Sequence, residues 1–106
     1  RRAAALAAPA QRTVRAGDVE VDLDARRVQV GDAEVRLTTK EFAILAALAS
    51  RAGAAVSRQQ LLDEVWGDAY LAVSRSLDVH ITQLRAKLGR PELLTTIRGF
   101  GYRFGG

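Results

Sequence analysis

The spacing of apolar residues changes twice along the chain, and the order of these changes restricts the fold. Between positions 13 and 37, apolar and polar residues alternate around two turn sequences, Gly17-Asp18 and Gly31-Asp32. A period of two is typical of half-buried strands. The sequence therefore predicts a small antiparallel sheet of three or four short strands. The segments concerned are Thr13–Ala16, Val19–Leu23, Arg27–Val30 and Ala33–Leu37.

A helical spacing replaces the alternation after Leu37. Thr38 and Glu41 stand three residues apart, as in a capping box, and an apolar face follows until Gly53 can end the helix. A second capping box begins at Ser57 and opens a shorter helix that reaches Trp66. We predict two helices here and a connecting loop over residues 67–74.

The third helix is predicted from about Arg75 to Leu88, capped by Ser74 and ended by Gly89. Its buried stripe contains Leu77, Ile81, Leu84 and Leu88. The opposite face carries mostly short or hydrogen-bonding side chains with cations at its edges. Such a face suits a DNA major groove, although the same spacing fits an ordinary surface helix.

Two β-rich runs, Leu94–Arg98 and Tyr102–Phe104, flank Gly99-Phe100-Gly101 near the end of the chain. This pattern predicts a β-hairpin with a tight tip and an arginine at its base. The whole order predicts an α+β fold: a winged helix-turn-helix with an N-terminal antiparallel sheet, three helices and a C-terminal β-hairpin wing.

Charge and composition narrow the function. The last 32 residues hold six basic and two acidic side chains, which accounts for the whole net charge of +4. This localised excess indicates a polyanion site, with a solvated basic face as the alternative. The absence of cysteine excludes thiol nucleophiles and cysteine-ligated metal sites, and a histidine-based metal site or catalytic triad would rest on His80 alone. We expect no enzyme activity, no cofactor and no metal site.

The N-terminal segment differs in composition from the rest. The chain begins with Arg1, contains no methionine, and opens with an alanine-rich run that includes Pro9. We interpret residues 1–12 as an interdomain linker and residues 13–106 as the winged-helix domain. No stretch approaches the ~20 apolar residues of a membrane span, so we expect no membrane partner.

The sequence also resembles a known family, the OmpR/PhoB-type winged-helix effector domains of bacterial response regulators. The resemblance covers about residues 13–104, in order. It is carried by Leu37-Thr38-x-x-Glu41-Phe42-x-x-Leu45, Ser57-Arg58-x-x-Leu61-Leu62, Val65-Trp66-Gly67, Arg75-x-x-Asp78-Val79-His80-Ile81-x-x-Leu84-Arg85-x-Lys87-Leu88 and Ile97-Arg98-Gly99-x-Gly101-Tyr102-Arg103-Phe104.

The resemblance implies a cytoplasmic transcription regulator that is the output domain of a two-component phosphorelay. It implies a receiver domain, absent from this chain, whose phosphorylation promotes homodimerisation. The implied partners are double-stranded promoter DNA with direct-repeat half-sites, and RNA polymerase through the 67–74 loop.

The resemblance also implies a role for each matching residue. The positions that meet bases or nearby phosphates are Arg75, Ser76, Asp78, Val79, Thr82 and Gln83. The backbone contacts are His80, Arg85, Lys87 and Thr96, and Arg98 is the wing arginine that probes the minor groove. Tyr102 and Phe104 are expected to pack the wing, and His80 has a second interpretation as a half-buried helix histidine.

One departure from the family bears on sequence preference. Thr82 and Gln83 stand where several relatives carry arginines, so fewer cations face the groove. Glutamine can bond adenine with two hydrogen bonds, whereas arginine prefers guanine. The preferred site of a relative therefore cannot be transferred. The alternative function is a winged-helix module that binds an acidic protein partner.

Overall fold

The computed structural model describes residues 12–67 and 70–105, and for residues 70–76 it describes the backbone only. Its N-terminal part is a four-stranded antiparallel sheet in the order β1-β2-β3-β4. The strands are β1 Thr13–Ala16, β2 Val19–Asp22, β3 Arg27–Val30 and β4 Ala33–Val35. The four predicted strands are confirmed, although β2 and β4 end one and two residues earlier than predicted. The predicted linker, apart from Arg12, lies outside the described residues.

The inner face of this sheet contributes to the hydrophobic core. Val19, Val21 and Val28 are buried, whereas Glu20 and Gln29 point to the other face in the same register. The sheet therefore has one apolar and one polar surface, as the alternation predicted.

The first helix, α1, runs over Thr39–Ala49. The Thr38 hydroxyl accepts the Glu41 N–H at 3.2 Å, and Glu41 Oε1 accepts the Thr38 N–H at 2.9 Å, so the predicted capping box is present. The helix ends before Gly53, because the chain turns at Ser50 and the positive φ of Gly53 belongs to the following turn. A short strand, β5 (Ala55–Ser57), precedes the second helix.

The second helix, α2, covers Arg58–Trp66, with the Ser57 hydroxyl accepting the Gln60 N–H at 3.0 Å. The third helix, α3, covers Tyr70–Leu88. The prediction of a loop over 67–74 and of a cap at Ser74 was therefore wrong. No glycine or proline occurs between positions 68 and 88, so nothing in the backbone stops the helix from starting a turn earlier.

The wing is a three-stranded sheet in the order β5-β7-β6, where β6 is Leu94–Ile97 and β7 is Gly101–Phe104. The predicted hairpin is confirmed, but its third strand was not foreseen. A one-turn 3-10 helix, Pro91–Leu93, connects α3 to β6.

The close approach of β5 to β7 depends on Gly101. A Cβ atom at this position would lie 2.0 Å from the Val56 carbonyl oxygen and 2.8 Å from the Ser57 Cα. The pairing of Ser57 with Gly101 thus exists only because residue 101 has no side chain.

One core joins the three helices to both sheets. Its fully buried members include Leu45 and Leu48 of α1, Leu61 of α2, Leu84 of α3 and Phe104 of the wing. None of the helices in the described part of the chain is long and apolar enough to cross a membrane.

Candidate nucleic-acid interface

The third helix presents one apolar and one polar face. Leu77, Ile81, Leu84 and Leu88 are all buried, so the predicted stripe is confirmed. The residues on the other side that are exposed are Asp78, Val79, Thr82, Gln83, Ala86 and Lys87. Most of these side chains are short, and Val79 among them is 54% exposed.

The wing packs against the same helix through Arg85. Its Nε donates to the Leu94 carbonyl at 2.8 Å, and its Nη2 donates to the Thr96 hydroxyl at 2.7 Å. The guanidinium also lies 5.9 Å from the Tyr102 ring. Arg85 therefore joins α3 to the wing, and a phosphate contact from it would have to use its other N–H donors.

Asp78 forms a second link between α3 and its neighbours. Its Oδ1 accepts the Tyr102 hydroxyl and the Arg58 guanidinium, each at 2.5 Å. The Tyr102 hydrogen bond, supported by Arg58, lowers the pKa of Asp78 despite partial desolvation. Burial, and then the bond to the carboxylate, raises the pKa of Tyr102. At neutral pH the pair is therefore an ionised carboxylate and a protonated phenol.

Lys87 anchors the other end of the helix to a buried carboxylate. Its Nζ lies 2.7 Å from Glu41 Oε1, and the Glu41 side chain is only 1% exposed. Burial acts to raise the pKa of Glu41, but the hydrogen bonds from Lys87 and Thr38 outweigh it, so the pKa is lowered. Glu41 thus caps the N-terminus of α1 and also binds Lys87 in the C-terminal turn of α3.

The N-terminal sheet is held to the end of α3 by Arg90. Its Nε and Nη2 donate to the two carboxylate oxygens of Asp18 at 2.9 and 2.5 Å. These hydrogen bonds lower the pKa of Asp18. The bidentate geometry fixes the turn between β1 and β2 beside the end of the helix.

His80 is half-buried, and its ring packs edge-on against Trp66 with 5.6 Å between centroids. This agrees with the interpretation of a half-buried helix histidine, while its role at DNA stays a prediction. Arg75 and Ser76 lie in α3, but their side chains are outside the described residues. Thr82 donates its hydroxyl to the Asp78 carbonyl at 2.9 Å.

The tip of the wing carries Arg98 and Phe100, both exposed. The Phe100 N–H donates to the Ile97 carbonyl at 2.9 Å, closing a four-residue turn in which Gly99 has φ +74°. The Phe100 carbonyl accepts the Arg58 N–H at 3.0 Å, which ties the tip to the start of α2.

The fold thus brings together part of the predicted set on α3 and the wing. The side chains described there are Asp78, Val79, His80, Thr82, Gln83, Arg85, Lys87, Thr96 and Arg98. Sequence reasoning missed Arg58 and Glu41 as partners of Asp78 and Lys87, because their contacts span 20 and 46 positions. Within the described part of the chain, no cluster of three or more His, Asp or Glu side chains could hold a metal ion.

Helix α3 follows two shorter helices and packs beside a three-stranded wing, with one face buried and the other exposed. This arrangement defines a winged helix-turn-helix domain. The family model described as "Transcriptional regulatory protein, C terminal" matches residues 32–104. The chain belongs to this family, the OmpR/PhoB-type C-terminal domains of transcriptional regulatory proteins.

Sequence relatives agree with this membership. The chain is 43% identical over 105 residues to the transcriptional regulatory protein PrrA of Mycobacterium bovis, covering 96% of this chain and 45% of that protein. It is 46% identical over 98 residues to TcrA of Mycobacterium tuberculosis, covering 90% and 39%. The chain therefore spans less than half the length of these curated relatives.

Solved structures share the fold. The RstA DNA-binding domain of Klebsiella pneumoniae, crystallised in complex with the RstA box, is 36% identical with a TM-score of 0.77, over 89% of this chain and 97% of that one. The response regulator DrrB of Thermotoga maritima is 32% identical with a TM-score of 0.79, over 96% and 48%.

Proposed function

We propose that this chain binds double-stranded promoter DNA in a sequence-specific manner and regulates transcription as the output domain of a phosphorelay response regulator. The observation that carries the proposal is the exposed polar face of α3 beside a wing whose tip bears Arg98. A helix of this kind fits the major groove, and an arginine in the β6–β7 turn can reach the adjacent minor groove. The similarity to the RstA DNA-binding domain, solved in complex with the RstA box, supports DNA binding by this chain.

Within this mode, Gln83 and Val79 are the side chains best suited to read bases. Exposed glutamine matches the donor and acceptor pair of adenine, and exposed valine matches the thymine methyl group. Asp78, by contrast, is engaged with Arg58 and Tyr102, so its first task is to hold α3 against α2 and the wing. We assign it an indirect part in recognition.

The basic side chains of α3 and the wing are proposed to contact DNA, and two of them also bind other parts of the protein. Arg85 and Lys87 each have internal partners, yet an ammonium has three donors and a guanidinium five, so both retain capacity for phosphate oxygens. Arg98 is assigned to the minor groove, where narrow A·T-rich geometry favours arginine. Contacts of Arg75, Ser76, His80 and Thr96 with DNA belong to the same proposal.

The partners of the whole regulator are also proposals. They comprise a receiver domain, a homodimer on direct-repeat half-sites, RNA polymerase and a cytoplasmic location. The acidic residues Asp63 and Glu64 are exposed at the end of α2 and could form part of a polymerase contact. The start of α3 at Tyr70 leaves little loop for such a contact, so the surface of α2 would have to contribute.

In vitro selection from a random duplex library tests the function directly. We expect a recurrent motif among the selected duplexes. The logarithm of the association constant should fall linearly with the logarithm of the salt concentration, with a slope of about −0.9 per phosphate contacted. Gln83→Ala should lose about 1–3 kcal/mol of discrimination at one base pair. Gln29→Ala is the matched control, an exposed glutamine on the outer face of the N-terminal sheet.

The outcomes separate the two functions considered. A motif whose recognition weakens with Gln83→Ala and not with Gln29→Ala supports the proposal. Salt-sensitive binding without any motif contradicts sequence-specific recognition by this chain. Absence of DNA binding favours the alternative, a module for an acidic protein partner.

A further inference from the structure

Phe100 is an exposed aromatic side chain at the tip of the wing. Among the side chains that the structure describes, Val79 and Phe100 are the two large hydrophobic ones that remain exposed, at 54% and 49%. An isolated exposed apolar residue is ordinary on a protein surface. Phe100 differs because of how its backbone is held and what stands next to it.

The backbone of Phe100 is fixed from both sides. Its N–H donates to the Ile97 carbonyl and its carbonyl accepts the N–H of Arg58, so the tip is hydrogen-bonded to the start of α2. The next residue, Gly101, is pressed against Val56 in the β5–β7 pairing. The backbone that carries the ring is therefore held in place, and little backbone entropy is lost when something packs against the ring.

Arg98 and Phe100 belong to the same closed turn, which indicates what the ring contacts. Their Cα atoms lie closer together than the about 7 Å that two extended residues span, a separation comparable to the roughly 6 Å width of the minor groove. With Arg98 in the groove, as the proposed function has it, the nearest apolar surface for Phe100 is the groove wall. That wall consists of deoxyribose C–H groups, an apolar surface that every sequence offers.

We propose that Phe100 is a DNA-binding residue that packs against the deoxyribose wall of the minor groove beside Arg98. This inference rests on the proposed function. The contact adds affinity that depends neither on base sequence nor on counterion release, because the ring carries no charge. Arg98 supplies the salt-dependent part of the wing contact, and Phe100 supplies the salt-independent part.

The test compares Phe100→Ala, Phe100→Leu and Arg98→Ala with the unaltered chain on a duplex recovered by selection. Phe100→Ala should weaken binding about tenfold, or about 1.4 kcal/mol, without changing the salt slope. Phe100→Leu should recover part of the loss. Arg98→Ala should weaken binding and reduce the slope. Unchanged melting temperatures establish that each variant is folded.

Hydroxyl-radical footprinting supplies an independent readout, since it reports the sugars that the protein covers. Phe100→Ala should lose protection at one short minor-groove segment and keep the rest. Full affinity in Phe100→Ala, or weaker binding with an unaltered footprint, would overturn the inference while leaving the DNA-binding function intact. Failure of the unaltered chain to bind any duplex would overturn both.

Discussion

Replacing Gly101 with alanine should destabilise the protein by about 2–4 kcal/mol. The added Cβ would lie 2.0 Å from the Val56 carbonyl oxygen, so β5 and β7 must separate by about 1 Å to reach the 3.0 Å that Cβ atoms keep. That separation breaks or stretches the neighbouring hydrogen bonds, among them Arg58 N–H to Phe100 at 3.0 Å. Two or three such bonds, at about 1 kcal/mol each and more where a buried group is left unpaired, give the stated cost.

Gly99→Ala is the matched control, because it adds the same methyl group in the same hairpin. Nothing lies within 4 Å of a Cβ at this position, so only its φ of +74° is strained, at about 1–2 kcal/mol. Urea denaturation of both variants gives the free energies of unfolding. If Gly101→Ala costs no more than Gly99→Ala, the close approach of β5 to β7 is not what requires the glycine.

Three further perturbations test the packing of α3. Glu41→Gln should cost about 1 kcal/mol at pH 7, a value reduced because its partner Lys87 is 39% exposed. Since the folded pKa of Glu41 lies below its ordinary 4.5, the stabilisation is complete above that pH and declines as pH falls through the lowered pKa. Denaturation at pH 7 and pH 3 should show that the difference in free energy of unfolding between the unaltered chain and Glu41→Gln is smaller at pH 3. An equal difference at the two pH values would refute the ion pair. Tyr102→Phe should cost about 1 kcal/mol by removing the hydrogen bond to Asp78, and denaturation with no loss would show that this bond contributes nothing. Leu84→Ala should cost about 2–5 kcal/mol because the side chain is fully buried, and a loss below 1 kcal/mol would contradict that burial.

Local patterns in the sequence were enough to predict most of the fold. The capping box of Thr38 and Glu41 and the buried spacing from Leu77 to Leu88 depend on residues within a few turns of each other, so the pattern itself contains the contact. The alternating strands were predictable for the same reason. Family resemblance then supplied the residue roles, which stay predictions.

The features that were missed depend on distant parts of the chain. Strand β5 has three residues, too few for any periodicity, and exists because Gly101 allows β7 to approach. Lys87 and Arg85 were assigned as phosphate contacts from the family resemblance, and the residues next to them in the sequence do not indicate Glu41 or the Leu94 carbonyl as partners. The start of α3 was misplaced because serine is a favoured cap, and a cap signal does not exclude a helix that begins earlier.

In the proposed function, α3 and the wing together form the DNA-binding surface. Titration of the isotopically labelled chain with a selected duplex, followed by amide chemical shifts, tests it residue by residue. We expect the largest chemical-shift changes on residues 77–86 and 98–100, with the outer face of β1–β4 unaffected. Chemical-shift changes concentrated on the N-terminal sheet, with none on α3 or the wing tip, would contradict this assignment of the DNA-binding surface.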